Sequence, residues 1–148
     1  MISPFDIRTV LLAKHAQHVV VIHFPIALFI TGVALDLLSR GRLASQFATA
    51  AYLNISIAAA MVIPAILTGV LAWQFALDGK RLKGLLLFHM VSAVIASLLM
   101  LSSWWVHWQS RKSSPPVPPL IRMALELLGV LAIGLAAHLG GFLTGVNS

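Results

Sequence analysis

An all-α, integral membrane four-helix bundle, running up-down-up-down with short loops, is the fold this sequence predicts. Three observations predict it. Hydrophobic residues make up 59% of the 148 positions and charged ones only 9%, and the mean hydropathy is +0.96, far from the averages of soluble domains. Four apolar segments, at about 17–40, 45–77, 83–109 and 120–142, each reach the roughly 20 residues that an α-helix needs to cross about 30 Å of hydrocarbon. Between them stand only short polar or basic pieces, so residues 17–148 form one four-helix domain with no soluble domain left over.

Residues 1–16 mix Phe5, Val10, Leu11 and Leu12 with Asp6, Arg8 and Lys14, and read equally as a short interfacial helix or as a frayed tail. The first apolar run is too long for a signal core and no small-residue cleavage pattern follows it, so the N-terminus is expected to be mature sequence. In the first span Pro25 decides the construction. A helix beginning at Pro25 would rise only about 24 Å by Arg40, so the helix must start earlier. The proline then removes one backbone hydrogen bond and loosens a turn beside Phe24 and His23. Asp36 and Arg40, four apart, are expected to pair locally.

Gly41–Ala44 reads as a basic turn. The second span carries Pro64 at its middle, Trp73 at a headgroup-level end, and alanines suited to close helix contact. Asn54 is expected to bond to a neighbouring helix. Asp78-Gly79-Lys80-Arg81 is a tight turn, and the third span follows, with His89 about two turns inside and His107 within the Trp104, Trp105 and Trp108 belt, read as interfacial. Ser113–Pro119, SSPPVPP, is a stiff extended linker. The fourth span opens with Arg122 and Glu126 at pairing distance along the helix and closes with Ala137-His138-Leu139-Gly140-Gly141.

Alternating direction puts the start of helix one, the end of helix two, the start of helix three and the end of helix four on one membrane side. That side receives His15, His18, His23, His89 and His138, five of the six histidines. Histidine is rare and usually functional at membrane depth. Imidazoles from three helices at one level suit a metal or haem held in a bundle core. The competing reading for any single one is a packing hydrogen bond or an interfacial side chain. With no cysteine there is no disulfide, thiolate metal site, iron–sulfur cluster or covalent c-type haem. Haem b needs only axial histidines and an apolar slot. The candidate ligands are therefore His18, His23, His89 and His138, with Gly140 and Gly141 letting a flat macrocycle approach the backbone. His18 and His23 lie about 140° apart around the helix and do not readily hold one ion together. The pairing of ligands stays open.

The run His18-Val19-Val20-Val21-Ile22-His23-Phe24-Pro25-Ile26-Ala27-Leu28, the segment Leu67-Thr68-Gly69-Val70-Leu71-Ala72-Trp73, His89, and Ala137-His138-Leu139-Gly140-Gly141 together resemble a bacterial family of four-helix membrane proteins of unknown function, DUF2231. The likeness covers nearly the whole chain in the same order. In that family the first helix reads His-Pro-x-x-x-His-Phe-Pro, the third carries a histidine, and a glycine pair leads into a longer tail; here Val19 stands for the first proline and Phe142–Ser148 is a short tail. Members are joined to cytochrome-like and other redox domains, so the resemblance implies haem-based electron transfer.

The first expectation is thus a membrane redox protein or subunit binding one or two haems b and passing electrons between quinol and a partner. A structural or assembly subunit of a larger membrane complex, its histidines contacting pigment, lipid or neighbouring helices, is the alternative. Copper or zinc on the same histidines is a third. A transporter is disfavoured by the few intramembrane carboxylates and the lack of a repeat. No nucleophile arrangement supports a hydrolase. The formal charge of +6 sits in loops and tail beside lipid headgroups, which argues against nucleic acid. The bacterial inner membrane is expected, with other subunits or further copies of the chain as partners. Five Lys/Arg on each side cancel any orientation signal; the resemblance alone places the histidine side toward the periplasm.

Overall fold

The computed structural model describes residues 14–40, 44–112 and 119–145. They form α1 (Lys14–Leu38), α2 (Ala44–Ala76), α3 (Gly84–Lys112) and α4 (Pro119–Leu143). All four are long and apolar enough to cross a membrane. The possible interfacial helix before Lys14, the basic turn at 41–43 and the SSPPVPP linker at 113–118 lie outside the described residues.

The helix ends follow local chemistry. Pro119 opens α4, where its missing N–H costs nothing. Arg111 and Lys112 in the last turn of α3 meet the negative end of the helix dipole, which carries the helix past the expected stop. Between α2 and α3, Asp78 and Gly79 both adopt left-handed backbone (φ 52° and 57°), tolerated by Asp and natural to Gly. Trp73 pins that turn by donating Nε1–H to the Lys80 carbonyl at 2.9 Å. Pro25 stands inside α1, which stays helical through Phe24 and Pro25. Asn54 does not reach a neighbour as expected; its Nδ2 donates to the Ala50 carbonyl of its own helix at 2.9 Å.

Two antiparallel hairpins, α1 with α2 and α3 with α4, pack most closely; α2 meets α3, and α1 meets α4, more loosely. The core joins Phe29 and Val33 of α1, Ile55, Ala58 and Val62 of α2, Ala96 and Met100 of α3, and Ile133 of α4. Small residues let the helices approach, as packing in lipid requires. A Cβ on Gly32 would stand 2.7 Å from Ile55 Cγ1, and one on Gly129 would stand 2.8 Å from Phe29 Cε1. We therefore expect Gly32→Ala and Gly129→Ala each to cost about 1–3 kcal/mol, the range for overpacking a filled core. Unfolding in mixed detergent–SDS micelles, followed by circular dichroism, checks this.

Burial is uneven along the bundle. Every described buried residue except Ala72 falls between Pro25 and Asp36, Ala51 and Val62, Ser92 and His107, or Glu126 and Ala136. Among the described residues, the end that holds the starts of α1 and α3 and the ends of α2 and α4 has the fewest buried residues, and it carries His18, His23, His89 and His138.

Candidate functional site

At the histidine end each hairpin builds one seat of the same kind. In the first, half-buried His18 of α1 lies with Nδ1 3.2 Å from Thr68 Oγ1 of α2. The Thr68 hydroxyl spends its proton on the Pro64 carbonyl at 2.8 Å, so its lone pair accepts from His18. The ring rests on Gly69, where a Cβ would come within 3.0 Å of Cε1. In the second, half-buried His89 of α3 donates Nδ1–H to the Ala136 carbonyl of α4 at 3.0 Å. It rests on Gly140, where a Cβ would stand 3.2 Å from Cε1. In both seats the acceptor fixes the proton on Nδ1 and puts the lone pair on Nε2. This is the tautomer and anchoring that metal-ligating histidines use.

The other two candidates are more exposed. His23 is exposed and folds back on its own helix, Nδ1–H donating to the Val19 carbonyl at 2.5 Å. His138 is exposed too, edge-on to the Phe142 ring at 5.0 Å between centroids. Gly140 is taken up by the His89 ring rather than left bare, and the Gly141 carbonyl accepts from the Thr144 hydroxyl at 3.0 Å. The His15 side chain lies outside the described residues. The fold thus anchors one histidine in each hairpin at the same end of the bundle.

The opposite end holds a buried polar cluster whose assembly across helices the sequence reading missed. Asp36 of α1 is 1% exposed and accepts Arg122 Nη2 of α4 on both oxygens, at 2.7 and 3.0 Å. The expected local ion pair with Arg40 also forms, at 3.6 Å. His107 is buried, not interfacial, and its Nε2 lies 2.5 Å from Glu126 Oε1 of α4. The expected local pair of Arg122 and Glu126 is thus replaced by two bonds to other helices. Ligand atoms of Asp36, His107 and Glu126 all lie within 4.8 Å of one another, close enough for a cation. Asp36 already takes Arg122 and Arg40, however, and Glu126 takes His107, so each carboxylate has a partner within the protein. Glu126 Oε2, Ser103 Oγ, Ser110 Oγ and Arg122 Nε are buried without a hydrogen-bond partner. A signal for this cluster was present: Ser92, Ala96, Met100, Ser103 and His107 recur at helical spacing and mark the inward face of α3.

A family model described as "Predicted membrane protein (DUF2231)" matches residues 14–146, and the chain belongs to that family. No curated protein and no solved structure matches the chain.

Proposed function

We propose that this member of the DUF2231 family is a haem b-binding membrane redox protein or redox subunit that moves electrons between quinol and a partner. The observation that carries the reading is the pair of matched seats. His18 and His89, one from each hairpin, have Nδ1 held by an acceptor, Nε2 carrying the lone pair, and a glycine beneath the ring. Anchoring of this kind raises ligand basicity and fixes ring orientation.

The donor set fits haem b. Neutral imidazoles are ordinary ligands of its iron, and the neighbours of the two histidines along the helices, Val20 and Phe88 among them, are exposed apolar side chains. His18 and His89 would hold the iron, and His23 and His138 would serve a second haem or its edge. The bound haem would supply a one-electron couple whose potential the ligands and burial tune. For their part, Thr68 and the Ala136 carbonyl hold the two imidazoles in one tautomer, and Gly69 and Gly140 set their depth. By count along the helices, His18 and His89 sit about 6 and 7.5 Å inside the starts of α1 and α3. That depth keeps the group in apolar surroundings near one surface. The family resemblance to redox-linked proteins favours the bacterial inner membrane with this surface toward the periplasm.

Titrating the apoprotein with haem b tests the reading: saturation at one or two haems per chain supports it, and no saturable spectral change overturns it. Gly69→Ala, which pushes a methyl to 3.0 Å from the His18 ring, is expected to weaken haem binding and shift the bound spectrum. Gly134→Ala, with nothing within 4 Å, is expected to leave both unchanged. Copper or zinc in the purified protein without haem would move the same ligands to a metal site.

A further inference from the structure

A cavity of about 130 Å³ opens beside the polar cluster, at the end of the bundle away from His18 and His89. Its wall includes Asp36, Tyr52, His107, Ser110, Arg111 and Arg122. The Asp36 charge is spoken for, since both its oxygens accept Arg122 Nη2 and Arg40 stands at 3.6 Å. Arg111 lies over the Tyr52 ring, 4.5 Å from its centroid, which holds a second guanidinium at the rim. Around this end the described cations Arg40, Arg111, Lys112 and Arg122 outnumber the carboxylates Asp36 and Glu126 by four to two. Two wall residues, Ser110 and Arg122, each carry a buried donor, Oγ and Nε, without an acceptor. The Trp104, Trp105 and Trp108 belt marks this level as that of the lipid headgroups.

We propose that this cavity binds a phosphate group, carried by an anionic phospholipid headgroup or as free phosphate. A preorganised guanidinium, a second one stacked on an aromatic ring and hydroxyl donors are the groups that recognise phosphate oxygens. Basic recesses between spanning helices bind anionic lipid headgroups in the same way. Asp36 keeps Arg122 in place and so prepares the site rather than competing for it. The assignment does not depend on haem at the other end.

The test uses the delipidated full chain in neutral detergent, with intrinsic tryptophan fluorescence titrated by short-chain phosphatidylglycerol, short-chain phosphatidylcholine or inorganic phosphate. Saturable binding of phosphatidylglycerol well above phosphatidylcholine, not displaced by inorganic phosphate, assigns the site to a lipid headgroup. Binding or displacement by inorganic phosphate assigns it to the free ion. Arg111→Gln should weaken whichever binds by about fivefold. Arg111 takes no part in the Asp36–Arg122 bond, so an unchanged SDS unfolding midpoint in that variant shows that the fold is intact. Equal response to the two lipids with no phosphate effect, or undiminished binding by a folded Arg111→Gln protein, overturns the proposal.

Discussion

Asp36→Ala is expected to destabilise the bundle by about 3–5 kcal/mol, the cost of removing one partner of a buried ion pair. The carboxylate is 1% exposed and takes both short bonds from Arg122. Deleting it removes both short acceptors of the largely buried Arg122 guanidinium and the ion-pair partner of the more exposed Arg40. Asp36→Asn retains a carbonyl acceptor in the same place and should cost less. Replacing both partners, as in Asp36→Leu with Arg122→Leu, removes the stranded charge and should recover part of the loss, because an apolar pair can substitute for a buried ion pair. Unfolding in mixed micelles, read by circular dichroism across the four proteins, checks the order. A single Asp36→Ala cost below about 1 kcal/mol, the size of an exposed pair, would show that this bond does not hold α1 to α4.

The second large effect is expected at the other end. His18→Ala and His89→Ala should each lower haem affinity by more than about 100-fold, since loss of groups that merely orient a ligand already costs about 10–100-fold. Thr68→Val removes only the anchor of His18 and should fall within that smaller range. His107→Ala, buried against Glu126 far from the seats, should leave haem binding in place while lowering stability. Haem titration of the four variants, each checked for helical content, separates ligand loss from general damage. If all four bind haem equally, His18 and His89 are packing groups.

The fold was legible because its signal is physical and repeated: four apolar runs of sufficient length admit few other structures in lipid. Their ends lie within a few residues of the observed helix ends, and the Asp78-Gly79 turn is a local stop signal between α2 and α3. The level of the histidines could also be counted from helix ends. Their facing could not, since a shared level says nothing about rotation. His18 and His89 turned to a neighbouring helix, whereas His23 bonds to its own helix and His138 is exposed. Asp36 and Arg40 do pair as their spacing indicates, but the rest of the polar cluster was misread because Arg122 and Glu126 also offer a local pairing four residues apart. Local spacing offers a pairing, but burial between helices rewards the shorter bonds of Arg122 to Asp36 and His107 to Glu126. His107 was masked by its tryptophan neighbours, although the serines on its face of α3 pointed inward with it.

The most direct measurement is a reduced-minus-oxidised absorption spectrum of the protein purified from haem-replete membranes. The matched seats predict a low-spin b-type haem, its sharp α-band growing when a quinol is added and lost in the His18→Ala, His89→Ala double variant. A preparation without absorbance beyond that of the protein itself, or a haem spectrum indifferent to the double substitution, would contradict the assignment of His18 and His89 as its ligands.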